Sequence, residues 1–178
     1  MATLDEKFAP FASKMQADGL SGAAVAAFKH AYTELQSGSS GTIDEASLTP
    51  VQQLEAFDDI KKTVMADPTL LKQTVVLKLN GGLGTSMGLD KAKSLLEVKN
   101  GNSFLDLTSK QILAMRQNFK SNVSFMLMNS FTTSDDTLAF LQGYPSLAAD
   151  PNIELMQNKA PKVDKSNMAP ATYPVNPQ

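Results

Sequence analysis

Cysteine is absent from all 178 residues, so no disulfide framework, thiolate metal site or cysteine nucleophile can be built from this chain. That absence is compatible with a cytoplasmic location, which is the expectation here. Histidine is nearly absent too: the single one, His30, falls in a stretch that reads as helix and reads as structural. Neither sign of charge prevails. Sixteen Lys and Arg against eighteen Asp and Glu leave a net charge of −2, with no broad basic face for nucleic acid. No apolar run approaches the roughly 20 residues that a membrane-spanning helix needs. The opening Met-Ala-Thr-Leu-Asp-Glu-Lys lacks the basic-then-apolar pattern of a signal peptide, and no internal repeat is visible. Hydrophobic residues nevertheless make up 42%, enough for a packed core and too much for wholesale disorder.

What is present divides at about residue 70. Residues 4–36 read as helical, with an alanine-rich run from Ala23 to Ala27 and Gly38 as a stop. Ser39-Ser40-Gly41 reads as a flexible link. Thr49, Pro50 and Gln52 look like an N-cap, a first-turn proline and a capping-box glutamine. They predict a helix to about Met65 with Leu54, Phe57, Ile60 and Val64 on its apolar stripe. Asp67-Pro68 then interrupts, which makes 1–70 an N-terminal helical segment and 71–178 a second region.

The second region alternates as an α/β sheet should. Strands are predicted at 74–80, 123–128 and 153–157, with a short run at 95–98 and a turn at Asn100-Gly101. A helix at about 104–118 opens on Ser103 and Asp106, and another runs from Thr133 to Gln142. Asp135 and Asp136 complement the second helix's N-terminal dipole, a better account of them than a metal site. From Lys159 onward, Pro161, Pro170, Pro174 and Pro177 read as extended loop.

Four glycines in eight residues, Gly81, Gly82, Gly84 and Gly88, follow directly on the strand at Val75 to Leu79. Without side chains such a loop can bring backbone N–H groups against phosphates, and Lys93 follows at a distance suited to reaching them. A Walker A loop is excluded, because no glycine here is followed by Lys and then Ser or Thr. A dinucleotide fingerprint fails as well, since its third glycine falls on Met87. In open α/β sheets, ligands bind beyond the carboxyl ends of the strands. The loop, Met128-Asn129 and Gln157 all stand at such ends. From composition alone, Met87 and Met128 read as core filler, and Lys93 as a surface lysine.

The run from Leu79 to Gly88, then Lys93-Ser94 and Leu95 to Val98, resembles the UTP–glucose-1-phosphate uridylyltransferases, the UDP-glucose pyrophosphorylases. The likeness continues through Gly101, Phe104-Leu105-Asp106, Met128 to Phe131, Asp135-Asp136-Thr137, Met156-Gln157-Asn158 and Pro161-Lys162. It covers about residues 70–165 in order. Ala92, where plant and animal members usually carry proline, makes the chain look more like the protozoan type. The resemblance implies an incomplete Rossmann-like nucleotidyltransferase sheet over 71–178, preceded by the helical segment. Family members are more than twice as long, and the family's Gly-His-Gly-Asp and Asn-Gly-Asp motifs do not occur here. The expectation is an N-terminal fragment that is inactive alone, with the ligand for Mg²⁺ beyond residue 178.

The activity implied is the joining of UTP and glucose 1-phosphate into UDP-glucose and pyrophosphate. In it a sugar-phosphate oxygen attacks the α-phosphorus of UTP in line with departing pyrophosphate. By resemblance, Leu79, Asn80, Gly81, Gly82, Gly84, Thr85, Met87, Gly88, Lys93, Met128 and Gln157 contact UTP or UDP-glucose. Lys93 takes the catalytic role of neutralising phosphate charge, and Gln157, whose amide offers a donor and an acceptor together, reads uracil. A UDP-N-acetylhexosamine or broad-range UDP-sugar pyrophosphorylase would share this loop. So would a nucleotide-binding fragment without catalysis.

Overall fold

Thr3 starts the first helix by satisfying backbone donors that would otherwise be orphaned. Its Oγ1 accepts from Glu6 N at 3.2 Å, while Thr3 N donates to Glu6 Oε2 at 2.7 Å. The computed structural model describes residues 3–88 and 90–172, so the expectation for Pro174 and Pro177 lies outside the described residues. The chain forms two compact units, Met1–Leu54 with Lys159–Gln178, and Glu55–Asn158. In the first unit the predicted helical stretch is two helices, α1 (Leu4–Ala17) and α2 (Gly22–Gln36), parted at Asp18-Gly19-Leu20-Ser21. Gly19 has φ +75° there, a left-handed turn that ends α1. Phe8 and Phe11 of α1 pack with Phe28 and Tyr32 of α2, ring centroids 5.0–6.2 Å apart. His30 stands exposed on α2, outside any cluster described below.

In the second unit the predicted helix from Thr49 to Met65 shrinks to α3 (Phe57–Thr63). Its intended stripe is bare, with Leu54 81%, Phe57 75% and Val64 63% exposed. A helix of this length draws its stability from packing its apolar face, so capping signals at Thr49 and Pro50 could not nucleate it alone. The surviving seven residues, about two turns, carry the Lys61–Asp58 and Lys62–Asp59 ion pairs at 2.5 and 2.9 Å.

The strand predictions hold closely. β1 (Val75–Asn80) runs into the glycine loop, and β2 (Glu97–Lys99) and β3 (Asn102–Ser103) form a hairpin. Asn100 and Gly101 both take positive φ in its turn, 53° and 71°, the pairing that Asn-Gly favours. α4 (Phe104–Phe119) opens with the expected capping box: Asp106 N donates to Ser103 Oγ at 3.1 Å and Ser103 N to Asp106 Oδ2 at 2.8 Å. β4 (Ser124–Asn129) lies parallel to β1 along six residues, from Val75 opposite Ser124 to Asn80 opposite Asn129. α5 (Ser134–Leu141) and α6 (Pro145–Ala148) lead to β5 (Glu154–Met156), which pairs parallel with β4. The result is a mixed α/β unit with a small parallel sheet in the order β1-β4-β5.

Period-two alternation gives this sheet two unlike faces. Phe125 and Leu127 point into a core with Leu105, Ile112, Leu141, Leu147 and Ile153. On the opposite face Val75, Leu77 and Leu79 are 57%, 48% and 69% exposed, in register with Met126 and Met128 of β4. The last described stretch, expected as extended loop, contains a small antiparallel pair, β6 (Lys162–Val163) with β7 (Pro170–Ala171). It belongs to the first unit. Val163 and Met168 pack on the aromatic cluster, and Tyr32 donates to the Met168 carbonyl at 2.9 Å.

Tyr144, just before α6, ties this end of the second unit to α4 through a 2.5 Å hydrogen bond to Asp106 Oδ1. Burial, then this bond and the carboxylate's charge, push the Tyr144 hydroxyl up to about 12. Burial opposes ionisation of Asp106, but the bonds from Tyr144 and Ser103 and the nearby Lys110 outweigh it and hold the carboxyl below its ordinary range. A tyrosine whose folded pKa is raised contributes stability that is complete below its unfolded value and lost as pH climbs toward the folded one. The native chain should therefore lose about 1–2 kcal/mol between about pH 10 and 12, allowing for partial screening. Tyr144→Phe should flatten that step in urea titrations across the window. An unchanged alkaline slope would refute the assignment.

Candidate functional site

The three strand ends that sequence reasoning pointed to do meet. Asn80 stands opposite Asn129, Met156 stands opposite Asn129 from the other side, and Gln157 N donates to the Asn129 carbonyl at 2.7 Å. Parallel pairing in one register places all three ends at one rim, as a ligand crevice in an open sheet requires.

The glycine loop leaves this rim and doubles back. Leu83 pairs antiparallel with Ala92, Gly84 N donates to the Lys91 carbonyl at 3.2 Å, and Lys93 N donates to the Gly82 carbonyl at 2.9 Å. Ten residues separate Gly82 from Lys93 in sequence, yet the fold sets them side by side. Thr85–Met87 form a tight 3-10 turn at the far end, and Gly88 closes it at φ +71°. Thr85, Met87 and Gly88 are thus exposed at the loop's tip, away from the strand ends.

Gly81 shows why a glycine is needed at one position in particular. A Cβ there would lie 2.2 Å from Gln157 Oε1 and 2.8 Å from its Cδ, so the Gln157 amide lies directly across the Gly81 backbone. Leu79, opposite Met128, extends the same exposed sheet face toward this contact. Leu79 and Met128, paired across β1 and β4, thus lead to the rim where Gly81 and Gln157 meet. Leu79 and Lys93 both stand in the wall of a cavity of about 300 Å³ lined also by Lys78, Asn80, Gly82, Ser94 and Phe104.

Asn80 is placed differently from the loop residues beside it. Its side chain is buried and donates from Nδ2 to Asn129 Oδ1 at 2.7 Å and to Thr137 Oγ1 at 2.8 Å. Asn129 Nδ2 in turn donates to Glu154 Oε1 at 2.6 Å, an atom that also accepts from Ser134 Oγ at 2.6 Å. This chain of bonds joins all three strands to α5 directly beneath the loop. Asn129 stands out in the sequence as a strand-end residue and Thr137 only as part of the run Asp135-Asp136-Thr137, while Glu154 is not singled out there. A carboxylate inside an otherwise apolar strand was the signal available for Glu154.

Asp135 and Asp136 lie in the first turn of α5, as expected for dipole partners. The N-cap Thr133 makes no side-chain bond into the helix; its Oγ1 accepts from Ser130 N at 2.9 Å instead. Among the described residues, no three His, Cys, Asp or Glu side chains converge as a metal site would require. Glu154 is already committed to Asn129 and Ser134. The carboxylates among the described residues do not fit a metal centre. No helix among the described residues is long and apolar enough to cross a membrane.

A family model described as UTP--glucose-1-phosphate uridylyltransferase matches residues 25–178. The chain belongs to that nucleotidyltransferase family. A potato UTP--glucose-1-phosphate uridylyltransferase is 41% identical over 142 residues, 75% of this chain and 29% of the potato protein. Among solved structures, a UDP-glucose pyrophosphorylase variant from Leishmania major in complex with UDP-glucose superposes with a TM-score of 0.88 at 40% identity. That match takes in 98% of this chain and 36% of the Leishmania chain. A Trypanosoma brucei structure, named as a UDP-glucose phosphorylase, gives 0.86 at 46% identity over 96% of this chain and 37% of its own. The chain thus spans about a third of the length of these uridylyltransferase relatives, and its α/β fold is theirs over that span.

Proposed function

We propose that this chain carries the nucleotide-gripping part of a uridylyltransferase that makes UDP-glucose and pyrophosphate from UTP and glucose 1-phosphate. The observation that carries the reading is the Gln157 amide lying across Gly81, on the same loop whose Gly82 holds Lys93. An amide lying against bare backbone can offer its donor and acceptor to a uracil edge. Backbone groups of Leu79, Gly81, Gly82 and Gly84 line the approach, and Met128 lies beside them on the exposed sheet face. Lys93 offers positive charge on the phosphate side, where it stabilises charge that develops as pyrophosphate departs.

In this reading Mg²⁺ serves as counter-ion to the triphosphate, with ligands that the described carboxylates do not supply. The sheet acts as a Rossmann-like nucleotide platform, and the cytoplasm is the compartment that suits a cysteine-free uridylyltransferase. On its own the chain should bind uridine nucleotides weakly and not catalyse.

Calorimetric titration of the 178-residue chain with UTP, UDP-glucose and ATP tests this. Uridine-selective binding is the expected result. ATP bound as tightly as UTP would remove Gln157 as a base reader, and no uridine binding by a folded chain would overturn the proposal that this part grips nucleotide. In a relative carrying the whole catalytic domain, Lys93→Ala at the matching position should lower turnover by about 100-fold or more. The uridine affinity should change little. Equal losses in both would make Lys93 a uniform binding residue.

A further inference from the structure

Gly81 and Gln157 meet although their strands are not neighbours. Gly81 follows β1, Gln157 follows β5, and β4 lies between the two in the sheet. Their spacing at the rim therefore depends on the residue of β4 that stands between, Asn129, opposite Asn80 on one side and Met156 on the other.

Packing holds the β5 side only weakly. The strand is three residues long, and Leu155 and Met156 are 45% and 38% exposed. Ile153, just before it, is the anchor in the core. A side-chain link makes up the difference. Glu154 Oε1 accepts from Asn129 Nδ2 and from Ser134 Oγ, each at 2.6 Å, while the Asn129 carbonyl accepts from Gln157 N at 2.7 Å. Residues 154 and 157 thus close on one fully buried asparagine.

The chemistry of Glu154 gives the link a direction. An ionised carboxylate only accepts, so Asn129 turns Nδ2 toward it and Oδ1 toward Asn80. Asn80, next to Gly81, then turns its own Nδ2 toward Asn129 and Thr137. Hydrogen bonds to an ionised acceptor are also stronger than neutral ones. Glu154 forms no ion pair among the described residues, but Ser134 opens α5, whose N-terminal dipole favours a carboxylate there.

We infer that Glu154 is a positioning residue for base recognition: through Asn129 it sets the distance between Gly81 and the Gln157 amide. The inference rests on the reading of Gln157 as the uracil reader and adds the residue that keeps the reader in place. A side chain that acts in this way governs affinity for one base and leaves affinity for another untouched.

Amide hydrogen exchange and nucleotide titration of the 178-residue chain test this together. In Glu154→Ala the Gln157 N–H should exchange about tenfold faster relative to amides of α4. UTP affinity should fall by about tenfold while ATP affinity stays within about twofold, so the preference for UTP narrows. Glu154→Gln, whose Oε1 still accepts both bonds, should bring UTP affinity to within about threefold of native. Adding Glu154→Ala to Gln157→Ala should cost UTP nothing further, because both act at one contact. Circular dichroism checks that each variant is folded. Ser134→Ala, with a loss of UTP affinity of about threefold, carries the test if Glu154→Ala is not. An unchanged exchange ratio in folded Glu154→Ala would overturn the positioning role, as would equal losses of UTP and ATP or additive losses in the double variant. A native chain that binds UTP no better than ATP would overturn the base reading and this role with it. Faster exchange at Gln157 in that case would leave Glu154 as a structural link alone.

Discussion

Asn129→Leu is expected to destabilise the second unit by about 2–4 kcal/mol, more than most single substitutions in a sheet of this size. Leucine shares asparagine's branched shape but is larger, so some overpacking adds to the loss of the bonds. Asn129 is fully buried, and its amide is the middle link between Asn80 and Glu154. Removing it takes one of two acceptors from Asn80 Nδ2, leaving Thr137 Oγ1, and one of two bonds from the Glu154 carboxylate, whose other partner is Ser134 Oγ. Each loss costs desolvation that the folded state no longer recovers. Chemical denaturation should show a lower midpoint with an unchanged slope. Thr137→Val, which removes one outer acceptor of the same chain of bonds, should cost about 1 kcal/mol, and a cost for Asn129→Leu no greater than that would mean that the links act independently.

These links also mark the boundary of what the sequence made legible. β1 and β4 announce themselves as apolar runs, and α4 by Ser103 and Asp106 at capping-box spacing, because the forces involved act within a few residues. The glycine loop was legible for the same reason. The helix expected from Thr49 to Met65 was not, since its formation depends on something to cover Leu54, Phe57 and Val64, and local capping carries no such information. The resemblance groups Asn80 with the loop as a nucleotide contact, and strand alternation turns its side chain inward, toward Asn129 and Thr137. That bond spans 49 residues and depends on the register of two parallel strands, which no local pattern encodes.

Gly81→Ala should separate binding from stability more cleanly than any other change in the loop. Its added methyl would stand 2.2 Å from Gln157 Oε1, far inside contact distance, so one of the two must move. Backbone strain does not arise, because Gly81 is not among the glycines with positive φ. The atom in the way is the free end of a flexible side chain, which can swing aside for a few tenths of a kcal/mol. The fold should therefore survive with its denaturation midpoint almost unchanged, while Gln157 loses the place from which it would read the base. Uridine affinity should fall by about 10- to 100-fold, the loss of a well-placed pair of hydrogen bonds. Gln157→Ala should cost a similar amount, and the double variant little more than either alone, because each removes the same contact. Gly82→Ala is the internal control: its Cβ would meet nothing within 4 Å, so any loss there must come from the ligand's side of the loop. Additive losses from Gly81→Ala and Gln157→Ala would show instead that glycine and amide serve the nucleotide separately, and the contact between them would then be packing.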